Sequence, residues 1–240
     1  MDYPYDISII ISLLNEAESL PELYSWIRSS LDGKFNYELI FVDDGSTDGS
    51  WEIIKNLPQD GPHVHGIRFR RNYGKSAALY EGFKAASGKV VVTMDADLQD
   101  SPEEIPGMYE KLLGEGWDII SGWKQNRQDN KLTKNLPSKL YNATARKVTG
   151  IRLHDMNCGL KAYRNEVVKS VEVYGDMHRY IPFLAKNAGY DRITEVPVHH
   201  QKRKYGKSKF GVDRFVHGIL DLMTLWFTGK FGKKPMHFFG

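Results

Sequence analysis

Short apolar runs alternate with polar loops along the first half of the chain. Four of these runs are rich in aliphatic and β-branched residues, a pattern that predicts buried strands. They lie at residues 7–14, 37–42, 64–69 and 90–94, and a fifth strand is predicted at 117–121. The helices between them are predicted to start at Ser19 and at about Ser50, and to span residues 75–86 and 102–113. This repeated order of strand, loop and helix predicts an α/β fold, a mostly parallel sheet flanked by helices on both faces.

The second half of the chain has a less regular pattern. A helix is predicted at 132–149, a compact loop or strand at 154–163, a helix at 178–188 and a strand at 193–198. The chain has 240 residues and contains neither an internal repeat nor a low-complexity linker. Its length suits one α/β domain, with or without an appendage.

Polar segments follow the first four predicted strands directly. In parallel sheets a ligand binds beyond the carboxyl ends of the strands, so these segments are expected to form the site together. They are residues 15–16, 43–48, 70–75 and 95–99. The first strand is not followed by GxGxxG, and the chain lacks GxxxxGK[ST]. Both a dinucleotide fingerprint and a P-loop are therefore excluded.

Asp95 and Asp97 stand one residue apart, directly after the apolar run at 90–94. Two carboxylates at a strand end suit a hard divalent cation that is shared with a diphosphate. The alternative is a turn that caps the helix at 102–113. The second acidic pair at another strand end, Asp43 and Asp44, favours the cation site.

The segment 43–48 also has two interpretations. Helix capping accounts for Asp48, but it does not require Asp43, whose carboxylate suits a nucleobase N–H or a ribose hydroxyl. Residues 71–75 supply positive charge beside a helix N-terminus, which suits a phosphate. Taken alone, residues 71–75 would be only a solvated turn.

The composition is that of a folded soluble domain, with 41% hydrophobic and 26% charged residues. A single cysteine, Cys158, excludes a disulfide framework and a cysteine-based zinc site, and it is expected to be a small buried residue. The first residues lack the basic region of a signal peptide, which favours the cytoplasmic side. From His199 onwards Lys and Arg outnumber Asp and Glu by nine to two. This basic end is expected to meet an anionic partner.

Taken together, four segments resemble the family-2 glycosyltransferases of the A-type fold. They are residues 9–16 (IIISLLNE), 41–48 (FVDDGSTD), 69–79 (FRRNYGKSAAL) and 94–102 (MDADLQDSP). In the second half, residues 157–164 (NCGLKAYR) and 200–209 (HxxRxxGxSK) are similar to the polyprenyl-phosphate glycosyltransferases, the group of dolichol-phosphate mannose synthase and bactoprenol glucosyltransferase. The QxxRW signature of processive polysaccharide synthases is absent.

The resemblance implies a role for each group of matching residues. Donor binding is implied for Leu14, Glu16, Asp43, Asp44, Lys75, Asp95 and Ala96. An Mg²⁺ or Mn²⁺ ion against the donor diphosphate is implied for Asp95, Asp97 and Gln99. The implied catalytic residues are Asp97, Asp155 and Arg203, although Asp155 is equally well explained as a turn residue.

The acceptor implied by the resemblance is a lipid phosphate. A phosphate monoester is already anionic near neutral pH, so a strong general base is unnecessary. The acceptor instead needs cationic positioning, since a phosphate is held by positive side chains. The residues implied to contact this phosphate are Lys124, Arg127, Arg203, Lys207, Ser208 and Lys209.

The chain is predicted to divide into a catalytic domain at 1–210 and a C-terminal segment at 211–240. Residues 214–228 are mostly apolar but are interrupted by His217 and Asp221, so the run is too short to span a membrane. An amphipathic helix at an anionic membrane surface fits better, although a helix docked on the sheet is an alternative. Many relatives continue from here into transmembrane helices. The chain is therefore expected either to stop short of such helices or to be a form without them.

The expected reaction is the metal-dependent, inverting transfer of a hexose from a nucleotide sugar to a polyprenyl phosphate at the cytoplasmic membrane face. A UDP-hexose is favoured as donor and GDP-mannose comes next. A glycosyltransferase acting on a soluble or cell-surface glycan is an alternative. A non-catalytic nucleotide or nucleic-acid binder is disfavoured, because the basic end lacks a stacking platform. No nucleic-acid partner is expected, and a homo-oligomer is possible.

Overall fold

The computed structural model describes residues 2–58, 60–125, 144–146 and 148–205. Three predictions fall wholly or mostly outside these residues. They are the helix at 132–149, the amphipathic segment at 211–240, and the acceptor contacts of Arg127, Lys207, Ser208 and Lys209.

Within the described residues, seven strands form one sheet in the order β3-β2-β1-β4-β6-β5-β7. The strands are β1 (Tyr5–Leu13), β2 (Tyr37–Asp43), β3 (His63–Arg68), β4 (Gly88–Asp95), β5 (Ile119–Trp123), β6 (Lys161–Arg164) and β7 (Ile193–Pro197). The pairs of β1 with β2, of β1 with β4, of β2 with β3 and of β5 with β7 are parallel. The mostly parallel sheet predicted from the sequence is confirmed.

Strand β6 runs antiparallel to both of its neighbours, β4 and β5. It occupies the end of the segment predicted as a compact loop or strand. Its insertion separates β4 from β5, although the two are successive strands in the chain. Residues 155–160, which lead into β6, therefore lie beside the carboxyl end of β4.

Residues 144–146 and 148–149 are helical. Six further helices flank the sheet within the described residues. They are α1 (Leu20–Leu31), α2 (Ser50–Lys55), α3 (Lys75–Ala85), α4 (Ile105–Gly114), α5 (Asn165–Lys169) and α6 (Ile181–Asn187). Short 3₁₀ turns, Pro102–Glu104 and Met177–Tyr180, precede α4 and α6. None of the helices in the described part of the chain is long and apolar enough to cross a bilayer.

Alternate residues of the central strand β1 pack into two separate apolar clusters. Ile9 and Ile11 belong to the cluster that contains Leu23 of α1 and Leu112 of α4. Ile10 belongs to the second cluster, with Phe83 of α3. Successive side chains of a strand point to opposite faces, so the helices cover both faces of the sheet, as predicted.

Candidate active site

The loops after β1 and β2 are joined by hydrogen bonds at the carboxyl edge of the sheet. Asn15 N–H donates to Ser46 Oγ at 2.8 Å, and Glu16 N–H donates to Ser50 Oγ at 3.0 Å. Asp48 accepts from Ala17 N–H at 3.0 Å and from the N–H and hydroxyl of Ser50 at the start of α2. Asp48 thus accepts from the first main-chain N–H of α2, but the N-cap residue of that helix is Gly49 and not Asp48 as predicted.

Asp44 joins the loop after β2 to the loop before α3. Its two carboxylate oxygens accept from Tyr73 N–H at 2.7 Å and from Gly74 N–H at 2.9 Å. Burial raises the pKa of Asp44, and these two hydrogen bonds act in the opposite direction. Gly45 has a φ of +80°, and a Cβ there would lie 2.6 Å from the carbonyl carbon of Arg71. This close packing of the two loops requires glycine at position 45.

Asp43 is fully buried at the end of β2. Its Oδ1 accepts from Ser46 N–H at 2.8 Å. Its Oδ2 has no hydrogen-bond partner among the described residues and lies 3.8 Å from Arg68 Nε. The two neighbouring carboxylates thus differ, because both oxygens of Asp44 accept hydrogen bonds from the loop before α3, whereas one oxygen of Asp43 accepts none among the described residues. Of the other residues predicted to bind the donor, Leu14 is partly buried after β1 and Ala96 is buried after β4.

Asp95 and Asp97 each have a cation nearby. The Lys75 ammonium, at the start of α3, pairs with Asp95. Asp97 Oδ1 accepts from Gln99 N–H at 3.2 Å, and its Oδ2 lies 3.9 Å from Arg203 Nη2. Burial, together with the negative charges of Asp95 and Asp100, raises the pKa of Asp97 to about 6. A bound cation would act in the opposite direction and favour the charged form of Asp97.

Asp100 and Lys124 form a buried ion pair behind this pair of carboxylates. Lys124 Nζ lies 2.8 Å from Asp100 Oδ1, and the Lys124 side chain is 13% exposed. Burial alone would raise the pKa of Asp100, but Lys124 and His200 hold it well below its usual range. Lys124 was predicted to contact an acceptor phosphate, and in the structure it pairs with Asp100.

Residues 198–205, here called the strap, cross the carboxyl edge of the sheet after β7. The strap begins with a hydrogen bond from Val198 N–H to Trp123 O at 3.1 Å. Further contacts along it join His199 to Glu104, Gln201 N–H to Gln99 O, Arg203 to Glu16 and Lys204 to Glu22. The side-chain amide of Gln99, a predicted metal ligand, donates to Gln201 O at 3.3 Å and so contacts the strap.

Arg203 is the strap residue that reaches the loops predicted to bind the donor. Its guanidinium pairs with the Glu16 carboxylate and faces Asp97. Its Nε has no hydrogen-bond partner among the described residues. Arg203 therefore stands between the loop after β1 and the loop after β4.

The segment 155–160 packs under the carboxylates at the end of β4. Asp155, predicted to be catalytic, is buried, and its Oδ1 accepts from Asn157 N–H at 3.1 Å, as in the turn interpretation. A Cβ on Gly159 would lie 2.7 Å from Asp95 Oδ2 and 3.0 Å from Asp100 Oδ2. Cys158 is buried as predicted, and burial raises the pKa of its thiol to about 12, which makes it a poor nucleophile.

Sequence reasoning missed two residues beside this site. Lys161 is buried at the start of β6, and its ammonium donates to the carbonyls of Met156 and Cys158. His178 contacts Ser76 in the first turn of α3 through both its ring and its main-chain N–H. The position of Lys161 within the otherwise apolar stretch at 160–163 could have indicated a buried lysine. The sequence around His178 contains no comparable feature.

The residues present fit a divalent cation only in part. Among the residues that the structure describes, no cluster of three or more His, Cys, Asp or Glu side chains could hold a metal ion by itself. Asp95 and Asp97 offer hard oxygen ligands, which suit Mg²⁺ or Mn²⁺. The remaining ligands would have to come from a substrate.

The chain matches one family model and several characterised proteins. Residues 8–171 match the family model described as glycosyl transferase family 2. The chain is 36% identical to dodecaprenyl-phosphate galacturonate synthase of Rhizobium johnstonii over 98% of this chain and 70% of the relative. It is 38% identical to undecaprenyl-phosphate 4-deoxy-4-formamido-L-arabinose transferase of Aeromonas hydrophila over 92% of this chain and 68% of the relative.

Among solved structures, glucosyl-3-phosphoglycerate synthase from Mycobacterium tuberculosis has a similar fold. The crystal structure of that enzyme with Mn²⁺, UDP-glucose and phosphoglyceric acid superposes with a TM-score of 0.64. The match has 23% sequence identity and covers 94% of this chain and 80% of the other. The likeness confirms the predicted A-type fold.

Proposed function

The chain belongs to glycosyl transferase family 2, and from this premise we propose that it transfers a sugar from a nucleoside diphosphate sugar to a polyprenyl phosphate. The observation that carries the proposal is the position of Arg203. The strap places the Arg203 guanidinium between Glu16, in the loop after β1, and Asp97, in the loop after β4. A phosphate nucleophile is proposed to approach the donor at this point. The similarity to the two polyprenyl-phosphate enzymes extends over nearly the whole chain and supports the same acceptor.

The donor half of the proposal rests on the acidic strand ends. Asp43 keeps a buried carboxylate oxygen without a hydrogen-bond partner in the described residues, which suits an N–H of a nucleobase or a ribose hydroxyl. Lys75 lies in the first turn of α3, where an ammonium and a helix N-terminus both favour a diphosphate. A UDP-sugar is the proposed donor and a GDP-sugar the second candidate.

Asp95 and Asp97 are the proposed holders of Mg²⁺ or Mn²⁺. When bound, the cation offsets the negative charge that develops on the leaving nucleoside diphosphate. The Lys75 ammonium, which pairs with Asp95, is proposed to contact the same diphosphate. The carboxylates of the chain thus hold the leaving-group side of the reaction.

The acceptor half of the proposal assigns Arg203 to the lipid phosphate. A phosphate oxygen attacks the anomeric carbon, a new carbon–oxygen bond forms, and the bond to the diphosphate breaks. A single displacement of this kind inverts the anomeric centre. Because the phosphate is anionic near neutral pH, Arg203 needs only to orient it and offset its charge. Asp155, on the segment that packs against Asp95, remains a candidate for contact with the reacting sugar or acceptor.

The reaction is proposed to occur at the cytoplasmic face of a membrane, where a polyprenyl phosphate and nucleotide sugars meet. The excess of Lys and Arg from His199 onwards supports contact with an anionic surface. The segment that carries most of this charge, 206–240, lies outside the described residues.

The test is a transfer assay with undecaprenyl phosphate in detergent and a panel of labelled donors. The panel includes UDP-glucose, UDP-galacturonate, UDP-4-deoxy-4-formamido-L-arabinose and GDP-mannose, and each reaction is run with and without EDTA. Labelled lipid from one donor, lost with EDTA and with Asp97→Asn, supports the proposal. Donor hydrolysis or glycan labelling without lipid product in every reaction would refute the lipid acceptor.

A further inference from the structure

Lys161 is a buried cation in the middle of the sheet. Its side chain is at the first position of β6, between β4 and β5, and the residue is only 3% exposed. The ammonium donates to Met156 O at 3.3 Å and to Cys158 O. Both described partners are main-chain carbonyls, and neither is a carboxylate.

A lysine in such surroundings is costly for folding. Lysine is almost never fully buried unless it is paired with a negative group, because its charge loses hydration. Burial lowers the pKa of Lys161, and the Cys158, Asp155 and Asp95 groups act in the opposite direction. An apolar residue of similar size would avoid this cost, so the charge calls for a reason other than stability.

The two carbonyls that Lys161 holds belong to the segment 155–160. The same segment is fixed by Thr93 Oγ1, which donates to Gly159 O at 2.9 Å, and by Gly122 N–H, which donates to Leu160 O at 2.9 Å. At its start the segment is held by the hydrogen bond from Asn157 N–H to Asp155, and at its end by the bond to Gly159 O. Lys161 binds the carbonyls that lie between these two points. The positions of the Met156 and Cys158 carbonyls, and with them the middle of the turn, therefore depend on the ammonium.

This turn is the surface on which the Asp95 carboxylate rests. A Cβ on Gly159 would lie 2.7 Å from Asp95 Oδ2, so the main chain at 159 approaches that carboxylate closely. On its other side Asp95 pairs with Lys75. A shift of the turn by a few tenths of an ångström would therefore move the Asp95 carboxylate.

We propose that Lys161 is a positioning residue for the donor, because its ammonium shapes the segment 155–160 so that Gly159 seats the Asp95 carboxylate for a metal–nucleoside diphosphate complex. This inference rests on the proposed function for the identity of the ligand. Lys161 does not touch the donor itself; it acts through Gly159 and Asp95. Removal of such outer partners of a metal ligand typically lowers metal affinity or activity by about 10–100-fold.

The test compares two lysines whose ammonium groups each donate to two main-chain carbonyls, the buried Lys161 and the exposed Lys169. Lys169 Nζ also donates to two main-chain carbonyls, Phe83 O at 2.6 Å and Lys84 O at 2.8 Å, but it lies on α5, away from the carboxyl edge. Lys161→Met and Lys169→Met each remove an ammonium and leave two carbonyls without it. Binding of Mn²⁺ with UDP is measured by calorimetry without acceptor, and the melting temperature is measured on the same samples.

The proposal predicts that Lys161→Met binds Mn²⁺ with UDP about 10–100-fold more weakly than the wild type, whereas Lys169→Met binds it as the wild type does. Lys161→Gln, which keeps an N–H donor but not the charge, should bind with intermediate affinity. If Lys161→Met loses melting temperature but keeps wild-type affinity, or if neither Lys161 variant folds, Lys161 serves the fold and the proposal is wrong. The binding measurement is independent of transfer: wild-type protein that binds Mn²⁺ with UDP but labels no lipid would refute the acceptor and leave this inference intact.

Discussion

Arg203 pairs with Glu16 across 187 residues of sequence. Glu16 follows the first strand of the sheet, and Arg203 lies on the strap that follows the last. The contact closes the site at one end, and it leaves Arg203 Nη2 3.9 Å from Asp97 Oδ2. The Arg203 guanidinium already faces the Glu16 and Asp97 carboxylates. It could therefore exchange one of these contacts for a contact with a third anion, such as a phosphate.

Arg203→Ala should raise the KM for undecaprenyl phosphate by about 10-fold or more, because a hydrogen bond to a charged group contributes about 1.5–3 kcal/mol. The KM for the donor should change much less. The control is Lys204→Ala, which removes the neighbouring charge on the strap, an exposed lysine paired with Glu22. Its KM for the lipid should stay within about twofold of the wild type, since exposed ion pairs contribute little.

Steady-state kinetics with each substrate varied in turn will measure both constants. Arg203→Lys keeps a charge but loses the two-pronged geometry of the guanidinium, so partial recovery is expected. If Arg203→Ala and the wild type have the same KM for undecaprenyl phosphate, Arg203 does not contact the acceptor.

Much of the fold and the outline of the site follow from strand patterns alone. The strands that end at Asp43 and Asp95 are apolar and β-branched, and the rule for the carboxyl ends of parallel strands brings their acidic loops to one edge. Strand β6 was not predicted unambiguously, because the pattern at 154–163 indicated either a compact loop or a strand. It has four residues, and its direction is set by pairing with β4 and β5 rather than by any local pattern.

The partners of individual side chains could not be predicted in the same way. Asp43 and Asp44 are adjacent in sequence, yet only Asp44 uses both oxygens to hold the main chain at 73 and 74. The pairing of Lys124 with Asp100 depends on how two loops pack, which residue spacing does not encode. The role suggested for Arg203 came from a resemblance, and its distance from Asp97 came only from the structure.

Gly159→Ala should weaken Mn²⁺ and UDP binding by about 10–100-fold while the protein stays folded. The added Cβ would lie 2.7 Å from Asp95 Oδ2, so the carboxylate has to move. The control is Gly107→Ala in α4, where a Cβ meets nothing within 4 Å. That variant should bind Mn²⁺ and UDP as the wild type does. Its free energy of unfolding should rise by up to about 1 kcal/mol, because alanine has a higher helix propensity than glycine. Calorimetric titration and thermal unfolding check both, and unchanged affinity in Gly159→Ala would mean that Asp95 is not a donor ligand.

The contact between His199 and Glu104 should make one anchor of the strap dependent on pH. His199 Nδ1 lies 2.7 Å from Glu104 Oε1, and this hydrogen bond raises the pKa of His199 above its usual 6.5. The added stability is fully present below about pH 6.5, and it is lost as the pH rises through the raised pKa. An NMR titration of the His199 ring should show a midpoint above 6.5 in the wild type and a lower one in Glu104→Gln. The same midpoint in both proteins would show that the contact does not form in solution.

Lys124→Met should destabilise the protein by about 3–5 kcal/mol, because it leaves the Asp100 carboxylate buried without its cation. Lys124 Nζ lies 2.8 Å from Asp100 Oδ1, and both side chains are largely buried. Asp100→Asn combined with Lys124→Met removes both charges and should recover most of the loss, which neither single change can do. Urea unfolding at pH 7 measures all four proteins of the cycle. If Lys124→Met instead keeps the wild-type free energy of unfolding and raises the KM for the lipid phosphate, Lys124 binds the acceptor and its pairing with Asp100 is incidental.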